Sequence, residues 1–166
     1  ENPNYWKAIA NAELIIGNIV SSLDAYEEAS MLIPEDKEIW VNWSMIYYEQ
    51  GEYEKAINLM VHALEELPDE ADFFYQITAY LISAGRYKEA FNYLENALIL
   101  NFDDHTILFD FFPQLETQKA LFKIIDQFRN KNSYCITHIK IFLSEPKSPG
   151  NTALLWLWIK VLAYEK

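Results

Sequence analysis

Gly17, Gly51 and Gly85 stand 34 residues apart, and other residues keep the same step. Trp6, Trp40 and Phe74 are in phase, as are Ala29, Ala63 and Ala97, and Pro34 with Pro68. A fixed period of this length is the mark of stacked repeats, each too small to bury its apolar face alone. It excludes a single core wrapped by unrelated elements. Only four glycines and six prolines occur in 166 residues, and 51% of the residues are apolar, which suits an ordered helical chain.

The copy from Glu35 to Pro68 shows what one unit does. Its first helix is predicted from about Lys37 to Gln50. Ile39, Trp40, Trp43, Ile46 and Tyr47 then form one apolar stripe by i, i+3, i+4, i+7 spacing. Gly51 supplies the left-handed residue that ends a helix without a Cβ clash. The second helix is predicted from about Glu54 to Leu67, burying Ala56, Ile57, Met60, Ala63 and Leu64. Small residues at Ser44, Ala56 and Ala63 allow close approach of neighbouring helix axes. Pro68 has no amide hydrogen to donate, so the chain turns there into the next unit.

The segment Trp40-x-x-Trp43-Ser44-x-x-Tyr47, followed by Gly51, Tyr53, Ala56-x-x-x-Met60, Ala63 and Pro68, resembles the tetratricopeptide repeat signature at nearly every position. The next copy has Phe74, Ile77, Thr78, Leu81, Gly85, Tyr87, Ala90, Leu94 and Ala97, with Phe102 where proline is expected. The first copy has Trp6, Ile9, Ala10, Gly17, Ser22, Tyr26, Ala29 and Pro34, with Glu13 at an aromatic position. The resemblance covers residues 3–102, as units of about 3–34, 35–68 and 69–102. It implies an all-α fold, a right-handed superhelix of stacked helix-turn-helix repeats. It is specific for fold and says little about function, because one scaffold serves many partners.

Glu1-Asn2-Pro3-Asn4 aligns with the turns Glu35-Asp36-Lys37-Glu38 and Asp69-Glu70-Ala71-Asp72, so the chain opens at a repeat junction without a methionine. The expectation is that it is cut from a longer protein in which further repeats precede it. After residue 102 the pattern decays. Leu108 stays in phase with Trp40, but Pro113 falls in mid-helix and Lys119 replaces the glycine. Residues 103–130 are expected to form a degenerate helical pair, 104–112 and 116–129, closing the array. Residues 131–166 are a basic and apolar C-terminal segment. Cys135 to Leu143 fits a strand or a helix. A helix capped by Asn151 or Thr152 is expected to run to Tyr164, with only Lys160 strongly polar. That helix would bury itself against the end of the array, occupy an acidic groove, or mediate self-association through 153–164.

Charge narrows the partners. The formal net charge is -12, with residues 1–130 carrying 23 acidic against 8 basic side chains. Nucleic acid and anionic membrane surfaces would be repelled. No apolar run is long enough to span a bilayer. The sequence does not indicate a compartment, the cytoplasm being slightly favoured for a soluble chain. Cys135 is alone, so no internal disulfide can form.

In tetratricopeptide arrays the first helices line the concave face. The resemblance therefore implies a peptide-binding groove of Lys7, Asn11, Asn42, Met45, Tyr48, Glu49, Asp72, Tyr75 and Gln76, with Tyr48, Met45 and Tyr75 as anchors. The same residues would equally serve to pack adjacent first helices. Some family members grip acidic chaperone tails with a two-carboxylate clamp. Lys7, Asn11 and Asn42 match three of its five positions, but Asp72 and Gln76 stand where basic residues belong. Asp72 would repel the carboxylate, so a neutral or basic protein segment is the expected partner.

Catalysis and cofactors find little support. His62 falls on a second helix beside Ala63 and reads as a surface residue. His105 follows Asp103-Asp104 at a helix start, with too few ligands at matched spacing for a metal. Cys135 and His138 lack a third group to orient them. No phosphate loop, zinc-helix motif or nucleophile elbow is present in the sequence. The reading is a protein-interaction scaffold, not an enzyme, with a structural or self-associating module of a larger repeat protein as the alternative.

Overall fold

A computed structural model of the chain describes residues 3–130, and every regular element among them is helical. The fold is an α–α superhelix of stacked helix-turn-helix pairs. The pairs are α1 (Pro3–Ile15) with α2 (Ile19–Leu32), α3 (Lys37–Glu49) with α4 (Tyr53–Glu66), and α5 (Ala71–Ser83) with α6 (Tyr87–Leu100). Each helix packs on its pair mate, and α3 and α5 pack on the helix before them.

The 34-residue period is written into backbone hydrogen bonds. Gly17, Gly51 and Gly85 have φ of +84°, +77° and +76°. Their amides donate to Leu14, Tyr48 and Ile82, and the following amides of Asn18, Glu52 and Arg86 donate to Glu13, Tyr47 and Leu81. This pair of bonds satisfies carbonyls that a helix end otherwise leaves open. The second helices also end alike. Ile33, Leu67 and Asn101 donate to Ala29, Ala63 and Ala97 at 2.9 Å each. At the start of α3, Asp36 Oδ1 accepts from the Glu38 amide at 3.1 Å, satisfying one of the open donors.

Apolar stripes meet between the pairs. Ala10, Ala25, Tyr26 and Ala29 of the first pair enclose Ile39 and Ile46 of α3. The alanines bring the helices close, so the hydroxyls that fall inside must be paired. They are: Ser22 donates to the Ala10 carbonyl at 2.8 Å, and Ser44 shares a hydrogen bond with Tyr80 at 3.0 Å.

Beyond α6 the chain runs in shorter pieces: a 3-10 turn (Asp103–Thr106), α7 (Ile107–Phe111), a second 3-10 turn (Pro113–Thr117) and a helix over 119–130. The sequence reading has one helix over 104–112 and another from 116. The structure opens the first as a 3-10 turn and starts the second at 119. Pro113 is the cause of the break, since its ring cannot follow a helical turn but fits the first position of a new one. Leu108, Phe112, Leu115, Leu121 and Ile125 are buried. The chain divides into two units, 1–125 and 126–166. Of the second only 126–130 is described, with Arg129 paired to Asp126. The expected helix to Tyr164 and the self-association run 153–164 lie outside the described residues, as do Cys135 and His138.

Candidate functional site

The first helices α1, α3 and α5 carry the nine residues that the sequence assigns to a groove, and the structure separates them into an open part and a covered part. The open part lies between α1 and α3. Asn11 and Leu14 of α1, Tyr26 of α2, and Asn42, Met45, Ile46 and Glu49 of α3 line a cavity of about 180 Å³. Asn11, Asn42 and Met45 are half-buried, and Glu49 is exposed at its rim.

The polar floor is held by Tyr26. Its hydroxyl donates to Asn11 Oδ1 at 2.5 Å. Burial pushes the Tyr26 pKa up, and a hydrogen bond with Asn42 acts against that rise. One buried phenol thus lines the same cavity as the two asparagines, one from each of two neighbouring repeats. Tyr26 is the residue that sequence reading missed, because it sits on a second helix. Its in-phase partners are Met60 and Leu94, so an aromatic hydroxyl at an aliphatic register position was the available signal.

Lys7 lies one turn before Asn11 and is not free to meet a ligand carboxylate. It is bonded to Asp36 at 2.8 Å and also to Glu38. Burial alone would lower its pKa, but these two carboxylates outweigh burial and raise it. Asp72 repeats the arrangement, bonded to Lys37 at 2.8 Å, with Glu70 at 3.3 Å from the same lysine. Each lysine at this end of the groove is neutralised by two acids of its own chain.

The covered part lies on α5. Tyr75 is fully buried, its hydroxyl donating to the Asn101 carbonyl at 2.8 Å. Burial, and then Asp104, Asp103 and Asp72, push its pKa far up. Gln76 is buried too, its side-chain oxygen without a hydrogen-bond partner among the described residues. Tyr48 is half-buried beneath Phe112 and bonded to Ser83 at 3.2 Å and to Gln114 at 2.8 Å. Residues 103–112 pack on α5, where Tyr75 and Gln76 are buried, and the Tyr48 ring packs on Phe112. Of the three expected anchors, Met45 is the one that lines the cavity.

Among the described residues no three His, Cys, Asp or Glu side chains converge as a metal site, and no helix is long and apolar enough to cross a membrane. His62 is exposed and bonded to Glu65 at 2.8 Å, and His105 Nδ1 lies 2.7 Å from the Phe102 carbonyl oxygen.

The comparisons with known proteins agree with the helix-pair fold. Residues 37–70 match the family model described as tetratricopeptide repeat. Among solved structures, a crystal structure of MamA protein aligns with a TM-score of 0.55 at 19% identity, covering 62% of this chain and 56% of that one. A second MamA crystal structure aligns at 0.54 and 14% identity over 80% of this chain and 81% of that one, and a third at 0.51 and 17% over 80% and 79%. At such identities the likeness is one of fold. In the first of these alignments the chain spans little more than half of the MamA chain. The family's pattern therefore stands on 37–70, and helix pairs of the same build flank it on either side, the stacked-repeat fold that the sequence resemblance implies.

Proposed function

We propose that this chain is a protein-interaction scaffold whose concave face between α1 and α3 holds an extended, neutral or basic segment of a partner. The observation that carries the reading is the cavity of about 180 Å³, with Asn11, Tyr26 and Asn42 at its floor, Leu14, Met45 and Ile46 on its sides, and Glu49 at its rim. A cavity of this kind takes one apolar side chain of a bound segment, and Met adapts to its shape. Asn42 has both a donor and an acceptor to offer a passing peptide bond. Glu49, and the -12 charge behind it, favour a lysine or arginine beside the apolar residue. The paired acids on Lys7 and Lys37 oppose an acidic ligand.

Selection from a random nonapeptide library on the immobilised full chain tests this. Enriched peptides are expected to join a basic and an apolar residue, to bind more weakly as salt rises, and to lose affinity for Glu49→Lys. Enrichment of acidic peptides, or binding indifferent to Glu49→Lys, overturns the proposal.

A further inference from the structure

The cavity floor departs from the pattern of the later repeats. Tyr26 of α2 is fully buried, and so are Met60 of α4 and Leu94 of α6, which hold the same place one and two periods on. On the first helices the register of Asn11 passes to Met45 and then to Ala79. Where the later repeats have Met45 with Met60 and Ala79 with Leu94, the first has an amide and a phenol joined by a hydrogen bond of 2.5 Å. Aliphatic side chains serve the stacking at both later repeats, so packing alone does not call for a polar pair here. A buried hydroxyl is costly unless it is paired, and this one is paired to a residue of the cavity wall.

The bond has a direction. A carboxamide oxygen can only accept, so the phenol proton is directed at Asn11 Oδ1. The donors of Asn11, both on Nδ2, are left for another partner, and the side chain makes no other hydrogen bond among the described residues. Asn11 is half-buried and lines the cavity.

We propose that Tyr26 is a positioning residue that fixes Asn11 as a donor, so that the cavity reads a backbone carbonyl oxygen of the bound segment. This rests on the groove reading above and adds what the polar part of the site recognises. A carboxylate would meet Glu49 at the rim of the same cavity, in a chain of net charge -12. The uncharged acceptor that a neutral or basic segment carries at every residue is its backbone carbonyl. Leu14, Met45 and Ile46 are left to select an apolar side chain, while the amide holds the chain that carries it. With Asn11 already ordered by Tyr26, less side-chain freedom is lost on binding.

Calorimetry on the full chain with a nonapeptide selected as above tests it. The peptide is compared with analogues in which one backbone carbonyl at a time is a thioamide, whose sulfur accepts hydrogen bonds poorly and whose N–H is kept. One analogue is expected to bind the unaltered chain about fivefold more weakly. Tyr26→Phe keeps the ring and removes the hydroxyl. It is expected to weaken the parent peptide and to bring the cost of that thioamide below about twofold, a coupling that loss of packing alone does not produce. Asn11→Ala, at a half-buried position, removes the donor itself and is expected to do the same, which decides the matter should Tyr26→Phe fail to fold. Circular dichroism melts verify the fold of each variant. A thioamide cost unchanged in the folded variants overturns the proposal, as does a selected peptide indifferent to every carbonyl. Should selection enrich no peptide, the groove reading fails and this inference with it. Peptides that bind without the coupling sink this inference alone.

Discussion

Phe112 meets Tyr48 edge-on, ring centroids 5.1 Å apart and planes at 81°, although Phe112 lies just past the end of α7 and Tyr48 lies back in α3. The same ring stands edge-on to Tyr80 at 5.6 Å, and Tyr80 stacks on Tyr48 at 5.0 Å. This aromatic triad is where the array stops being a plain repeat. Phe112 occupies the register of Ser44 and Thr78, small residues that let helices cross closely. A phenyl ring cannot do that, and it turns back over the first helices instead.

The triad predicts a large loss from a single truncation. Phe112→Ala empties a fully buried site and strips one face from Tyr48 and Tyr80. The expected cost is about 3 kcal/mol, as for other buried phenylalanines. Urea unfolding checks it. A loss below about 1 kcal/mol, the scale of an ordinary single substitution, would mean that residues 103–112 are only loosely held to α5.

The glycine turns predict a smaller, repeated cost. No atom lies within 4 Å of a Cβ built on Gly17, Gly51 or Gly85, so the penalty of alanine there is purely one of backbone conformation. Each of Gly51→Ala and Gly85→Ala is expected to destabilise by about 1 kcal/mol. Equal midpoints for the variants and the parent in thermal melts would contradict the assignment of these residues as left-handed helix ends.

Alkaline pH is predicted to unfold the chain. Tyr26, Tyr75 and Tyr80 are each raised above the ordinary tyrosine value of 10.0, in every case chiefly by burial. A raised folded pKa means that the folded state holds the proton more tightly. The stability this contributes is intact below pH 10 and is lost as pH climbs from there through the folded values. Thermal midpoints should hold steady from pH 8 to about 10 and then fall, with the buried phenols ionising only on unfolding. Phenolate absorbance from all eleven tyrosines before any loss of helical signal would contradict their burial.

Much of this was legible in the sequence, and the reasons for the rest are physical. The predicted first helix Lys37–Gln50 is observed as Lys37–Glu49, because the glycine termination depends on local backbone alone. The stripe of Ile39, Trp40 and Ile46 is buried for the same reason, as periodicity fixes which face is apolar. What periodicity does not fix is who covers that face. The resemblance places Tyr75 and Gln76 in an open groove because first helices line the concave face, but both are buried in α5, against which the irregular pieces after residue 102 pack. Pro113 announced an interruption there, but not that the chain would fold back on Tyr48. Tyr26 was hidden differently, since its contact with Asn11 crosses from the second helix into the face of the first.

Acidic ligands provide a direct contrast. A peptide ending in two carboxylates, the kind that a clamp of this family grips, is predicted not to bind. Lys7 already holds Asp36 and Glu38, and Asp72 adds a repelling charge. Titration calorimetry checks it, and sub-micromolar affinity would show that those ion pairs yield to a ligand.

The central claim is that a partner segment lies over the cavity between α1 and α3. It is tested most directly by replacing Met45 with photo-reactive benzoylphenylalanine and irradiating the full chain with a library-selected basic peptide. Crosslinking is predicted at position 45 and not when the same group replaces Val61, which is exposed on α4. Equal crosslinking at the two positions, or none at 45 while the peptide still binds, would contradict it.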